Sequence, residues 1–162
     1  MDEDKVQQLV DRQEIIDRMH WYTAWVDLNR VDKQVEVFAE DGRLTFYGDD
    51  HWIEGKDNIQ EALLPSVAKY AASHHYISNI VVTFDSAKTA NAISYVQAWH
   101  RPADGSDDYT LHAQYHDKWV KIFGAWKLSE RRLKTAGTSN RSDGPNLEPV
   151  SYTHLRAHET DS

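Results

Sequence analysis

Apolar residues recur along the first stretch of the chain at Val6, Leu9, Val10, Ile15, Ile16, Met19, Tyr22 and Val26. The helical spacing puts them on one stripe and predicts a long amphipathic helix over residues 4–28. Val35 and Phe38 repeat at the same period, so a second, short helix is expected over Val31 to Phe38, broken by Glu40-Asp41-Gly42. Arg43 to Tyr47 and Trp52-Ile53 are β-rich around the polar turn Gly48-Asp49-Asp50, which reads as a small hairpin closed by Gly55. The helical period returns from Lys56 to Ser73 through Ile59, Ala62, Leu63, Val67 and Tyr70, with Pro65 set to kink the helix or start a segment.

The pattern then changes to β-rich runs over His74 to Phe84, Ala90 to Arg101, Tyr109 to Phe123 and Trp126 to Leu133. Asp85-Ser86-Ala87-Lys88, Pro102-Ala103-Asp104-Gly105-Ser106 and Gly124 separate them with turn chemistry suited to antiparallel hairpins. Helices first and a long antiparallel meander afterwards predict an α+β architecture, helices packed on one face of a curved sheet. Beyond Ala136 little can be buried. The domain is therefore expected to span residues 1–136, with a disordered tail over 137–162. Residues 150–160 resemble translated sequencing-adapter sequence and are expected to be non-native.

At 162 residues the chain is the size of one domain with a core of its own, and it has no cysteine, so disulfides, thiolate metal sites and a cysteine nucleophile are excluded. The first residues are acidic and no run of about 18 apolar residues occurs, which predicts a cytoplasmic protein. With 26 acidic against 18 basic side chains the formal charge is -8, which repels nucleic acid and anionic membranes. Six Trp, eight Tyr and nine His hint at a lined pocket.

Asp27 ends the first helix, where a carboxylate works against the negative end of the helix dipole and wants a reason to be there. Alternation puts His75, Ile77, Asn79, Val81 and Thr83 on one face of their strand and His74, Tyr76, Ser78, Ile80, Val82 and Phe84 on the other, both faces partly buried. A one-residue slip would exchange His75 for His74. An imidazole is the side chain best suited to moving a proton near neutral pH. On the last strand Arg131 alternates with Ser129 and Lys127 against Trp126, Leu128, Glu130 and Arg132, so one arginine of the pair faces inward. Such an arginine is a salt-bridge partner or the stabiliser of a departing anion or enolate. Pocket walls are expected from Val96, Ala98 and His100 or else Tyr95, Gln97 and Trp99. The histidines lack a metal-ligand spacing, and no metal is expected.

Taken in order, Tyr22 and Asp27 on a helix, Phe38-Ala39-Glu40-Asp41-Gly42, Gly55-Lys56, His75-Tyr76-Ile77-Ser78-Asn79 and Gly124-Ala125-Trp126-Lys127-Leu128-Ser129-Glu130-Arg131 form a recognisable series. From about residue 5 to 134 it resembles the SnoaL-like branch of the nuclear transport factor 2-like superfamily. That branch includes lindane dehydrochlorinase, scytalone dehydratase and bile acid 7-alpha-dehydratase, which use a histidine base oriented by an aspartate. The resemblance implies a cone-shaped α+β barrel and a catalytic set of Asp27, His75, Arg131 and Tyr22. Leu44 stands where the dehydrochlorinase has a pocket tryptophan, and Leu111, Ala113 and Tyr115 join the pocket while His112 and His116 stay outside. The implied activity is a lyase of dehydratase or dehydrohalogenase type, without cofactor, acting on a small apolar or polycyclic substrate. The same pocket would also suit an isomerase, a polyketide-type cyclase, a non-catalytic binding module or an accessory subunit. An open sheet bearing Trp99, Tyr115 and Trp119 predicts a homo-oligomer, a trimer or a dimer.

Overall fold

The computed structural model describes residues 2–46 and 51–140. The expected helix is present as α1 (Glu3–Asp27), opened by an Asp2 cap whose carboxylate accepts from the Asp4 N–H. It buries Ile15, Met19 and Tyr22. The second helix is shorter than its period suggests. α2 (Val31–Gln34) passes into a 3₁₀ turn over Val35–Val37, and Phe38 already opens β1 (Phe38–Thr45). Glu40-Asp41-Gly42 is not a break but an irregularity inside β1: Phe38 pairs with Leu128 and Arg43 with Glu130, so β1 bulges against the last strand. The glycine is needed there, because a Cβ on Gly42 would stand 2.8 Å from the Leu128 carbonyl oxygen and 3.0 Å from that of Ala39.

β2 (Ile53–Glu54) pairs antiparallel with β1, and the expected turn at residues 48–50 lies outside the described residues. α3 (Lys56–Ala68) runs through Pro65 but stops before Ser73, because Tyr70 already belongs to β3 (Tyr70–Phe84), where it pairs with Pro102 of β4 (Thr89–Pro102). Long-range pairing overrides the local helical period there. β5 (Tyr109–Ile122) and β6 (Ala125–Ser139) complete the meander. β6 extends three residues past the expected domain end, held by Thr138 against Leu111 and Ser139 against Thr110; residues 141–162 lie outside the described ones.

The sheet order is β2-β1-β6-β5-β4-β3, antiparallel throughout except for the parallel β1–β6 pair. The result is an α+β cone whose curved sheet stays open at β2 and β3. The β5–β6 turn needs positive φ at both Phe123 and Gly124, 48° and 82°, the geometry that matches strand twist in a two-residue hairpin.

Two irregularities change which residues share a face. Asn79 takes a left-handed φ of 49° at a register shift between Ser78 and Val81. As a result Ser73, His75 and Ile77 lie on the inner side together with Ile80, Val82 and Phe84, which strict alternation assigns to the opposite face. The outer side is not buried as expected: Tyr76 is 59% exposed and Val81 58%. On β6 a shift between Trp119 and Lys118 brings Arg131 to the inner side with Trp126 and Leu128 rather than opposite them. Among the described residues no helix is long and apolar enough to cross a membrane.

Gly42→Ala would force β1 away from β6. A loss of about 1–3 kcal/mol in unfolding free energy is expected, measurable by urea denaturation; an unchanged midpoint would show that the bulge can relax.

Candidate active site

The reason for a carboxylate at the end of α1 is on β3. Asp27 Oδ1 accepts from Ser73 Oγ at 2.8 Å and lies 2.6 Å from His75 Nδ1, while Oδ2 accepts the His75 backbone N–H at 2.8 Å. Burial alone would raise the Asp27 carboxyl, but the ring and backbone bonds of His75 and the Ser73 hydroxyl outweigh it and hold it below its ordinary value of 3.8. A carboxylate that accepts from Nδ1 fixes the tautomer, with the hydrogen on Nδ1 and Nε2 left as the basic nitrogen. The His75 side chain is 8% exposed and lines a cavity. His74 points to the exposed side, its ring 4.5 Å from that of Tyr76.

The cavity, about 1060 Å³, lies between α1, α3 and the concave face of β3–β6. Of the two β4 sets, Val96, Ala98 and His100 form its wall; Leu111 and Tyr115 join from β5. Leu44 and Ala113 share the inner side but lie in the hydrophobic core and do not line the cavity. His112 and His116 point outward, bonded to Ser139 and Gln114.

Toward the turn between β4 and β5 the wall is aromatic. Tyr70 and Tyr109 bond through their hydroxyls at 2.6 Å. His100 stacks on Tyr109 at 4.9 Å and meets the His75 ring edge-on at 5.5 Å. Ser73, Tyr70, Tyr109 and Gln34 are lining residues that the sequence reading did not select. For Ser73 and Tyr109 a signal existed, since each lies two residues before a selected strand position; Gln34 offers none.

Arg131 is inward but does not reach the cavity lining. It is 0% exposed and bonds Asp117 through Nε at 2.8 Å and Nη2 at 2.7 Å. Its guanidinium is sandwiched between the rings of Tyr22 at 4.2 Å and Tyr115 at 4.1 Å. Burial opposes the positive charge, but the Asp117 carboxylate outweighs it and holds Arg131 protonated more firmly than usual. Burial likewise pushes the Asp117 carboxyl upward against the pull of Arg131; the bidentate geometry is that of an ion pair. Tyr22 lines the cavity in front of this pair, and burial, only partly offset by Arg131 and Gln34, raises its hydroxyl so that it stays protonated.

A family model described as a SnoaL-like domain matches residues 7–132. In solved structures the chain is similar to a candidate scytalone dehydratase from Novosphingobium aromaticivorans DSM 12444, with 28% identity, 91% of this chain and 97% of that one covered, and a TM-score of 0.82. A Kribbella flavida protein is 25% identical over 82% of this chain and 95% of its own, with a TM-score of 0.74. The LinA-type3 hexachlorocyclohexane dehydrochlorinase from Novosphingobium barchaimii LL02 has the same fold, with a TM-score of 0.77 at 18% identity, covering 90% of this chain and 99% of that one. No curated protein sequence matches the chain.

Two outcomes follow from these contacts. Because the Asp27 carboxyl is lowered on folding, its contribution is complete above the unfolded value of 3.8 and is lost as pH falls through the folded value. The gap in urea midpoint between wild type and Asp27→Asn should therefore narrow from pH 6 to pH 2.5; a constant gap would contradict it. Asp117→Leu strands a buried guanidinium and should cost about 3–5 kcal/mol, much of it recovered in the double variant with Arg131→Met. Denaturation of the wild type and these two variants tests this.

Proposed function

The chain belongs to the SnoaL-like domain family, within the nuclear transport factor 2-like superfamily, and on that footing we propose that it is a cofactor-independent lyase. In this reading it removes a proton from a small apolar or polycyclic substrate. The observation that carries the reading is the 2.6 Å contact between Asp27 and His75 Nδ1 at the wall of a large, mostly apolar cavity. His75 Nε2 takes the proton from a carbon made acidic by a neighbouring carbonyl. The electron pair passes toward the carbonyl oxygen and then forms the new C=C bond as the β leaving group departs. Asp27 stabilises the imidazolium, and the protonated Tyr22 hydroxyl donates to the oxygen that gains charge.

The 28% identical neighbour is described as a candidate scytalone dehydratase, which agrees with a β-elimination. Arg131 acts in this scheme through Tyr22 rather than on the substrate, since its guanidinium is buried against Asp117. Tyr115 and Trp119, expected on the open face, are buried in the core instead; Tyr76, Val81 and Tyr95, exposed on the outer side of the sheet, support self-association as a dimer or trimer.

Compounds with a carbonyl-activated C–H and a β hydroxyl or halide, screened by NMR in D2O, should show loss of the C–H signal and appearance of the alkene. His75→Gln is expected to lower that rate by about 10²–10⁴-fold, with ligand affinity retained. Asp27→Asn should act in the same direction. Ligand binding without turnover in the wild type, unchanged in His75→Gln, would make the cavity a binding module instead.

A further inference from the structure

The two oxygens of Asp27 are not loaded alike. Oδ1 carries two donors, the Ser73 hydroxyl at 2.8 Å and His75 Nδ1 at 2.6 Å, while Oδ2 takes the His75 backbone N–H at 2.8 Å. Holding α1 against β3 does not require the hydroxyl, since the ring and the backbone N–H already engage both oxygens. Ser73 instead fills the second lone pair of the oxygen that faces the ring. Ser73 and His75 are alternate residues of β3, pairing with His100 and Ala98, so both side chains point to the inner side.

A carboxylate beside an imidazole favours the protonated ring, and the negative end of a helix adds to that. A ring that holds its proton cannot serve as a base. Against the burial that would raise the Asp27 carboxyl, the two bonds of His75 and the Ser73 hydroxyl lower it. A hydroxyl that donates to Oδ1 draws off part of its negative charge and leaves it a weaker acceptor for Nδ1–H. Other titratable groups surround the ring. His100 of β4 meets it edge-on at 5.5 Å. The cavity wall also carries Tyr22 of α1, Tyr70 of β3, Tyr109 of β5, Lys69 after α3, and Asp104 and Asp107 between β4 and β5. Ser73 touches the oxygen that holds the ring, and it acts there without a charge of its own.

We propose that Ser73 is a positioning residue: by donating to the carboxylate oxygen that holds the His75 ring, it weakens Asp27 as an acceptor and keeps His75 Nε2 open to take a proton near neutral pH. The inference rests on His75 being the base, and it goes beyond that reading by assigning the group that sets the pH range in which the base works.

NMR titration of the His75 ring in the wild type, Ser73→Ala and Ser73→Thr tests it without needing turnover, the ring signal being assigned through His75→Gln. In Ser73→Ala the titration midpoint should rise by about 0.3–1 pH unit, and the Nδ1–H proton should move downfield as its bond to Oδ1 strengthens. Ser73→Thr, which keeps the hydroxyl, should restore both. Should alanine disturb the fold, Ser73→Cys, of similar shape and with a weaker donor, must move the midpoint in the same direction. A midpoint that falls overturns the proposal, because the hydroxyl then serves to hold Asp27 against the ring. An unchanged midpoint overturns it too, since cavity water then replaces the hydroxyl without loss. Where the carbonyl compounds are turned over, the acidic limb of kcat/KM should move up by the same amount. A shifted ring without turnover would support the action of Ser73 on Asp27 and overturn the lyase reading alone.

Discussion

The Asp27 carboxylate joins the C-terminal end of α1 to the edge strand of the sheet, and the geometry of the cavity follows from that junction. Two of its donors come from side chains, Ser73 and the His75 ring, and the third is the His75 backbone N–H. Among the described residues β3 has no neighbouring strand on that edge, so the carboxylate satisfies a backbone donor that would otherwise face an open edge. The same bonds counter the unfavourable dipole at the end of the helix. They also hold the imidazole in one orientation with one nitrogen committed. A single side chain thus sets the distance between helix and sheet and the protonation pattern of the proposed base.

The ion pair at the inner end works differently. A buried Arg–Asp pair seldom adds net stability over an apolar replacement, because two charges have been taken out of water. Here the guanidinium also serves as a flat plate between Tyr22 and Tyr115. Asp117 occupies two of its nitrogens, and the rings cover its faces. Its contribution to chemistry in the proposed scheme is therefore positional: it fixes where the Tyr22 hydroxyl stands and keeps a positive charge behind it.

The parts of this architecture legible in the sequence are those where one period runs uninterrupted. The stripe on α1 carries Tyr22, and alternation within β4 offers Val96, Ala98 and His100 as one of two sets; Leu111 and Tyr115 come from the family resemblance, and all of them line the cavity. Alternation failed where a strand carries an extra residue, at Asn79 and again before Arg131, because a bulge moves every later side chain to the other face. It also gives side but not depth: Leu44 and Ala113 face inward but lie in the core rather than at the cavity surface. The pairing of Asp27 with His75 depends on elements far apart in the chain and was suggested only by family resemblance. Gln34 carried no signal, since a polar residue in a one-turn helix reads as exposed.

The distribution of satisfied and unsatisfied polar groups separates the two ends of the cavity. At the Asp27 end the carboxylate has three donors and His75 Nδ1 is committed. At the inner end Arg131 Nη1 and Gln34 Oε1 are buried without hydrogen-bond partners among the described residues. A fold selected for stability alone would replace such groups with apolar side chains of similar size, and proteins depart from that rule mostly where a site requires it. Between the two ends the wall is largely apolar, so a ligand gains area there without being oriented. Orientation must come from polar groups that reach the cavity, the Tyr22 hydroxyl and the uncommitted nitrogen of His75 among them.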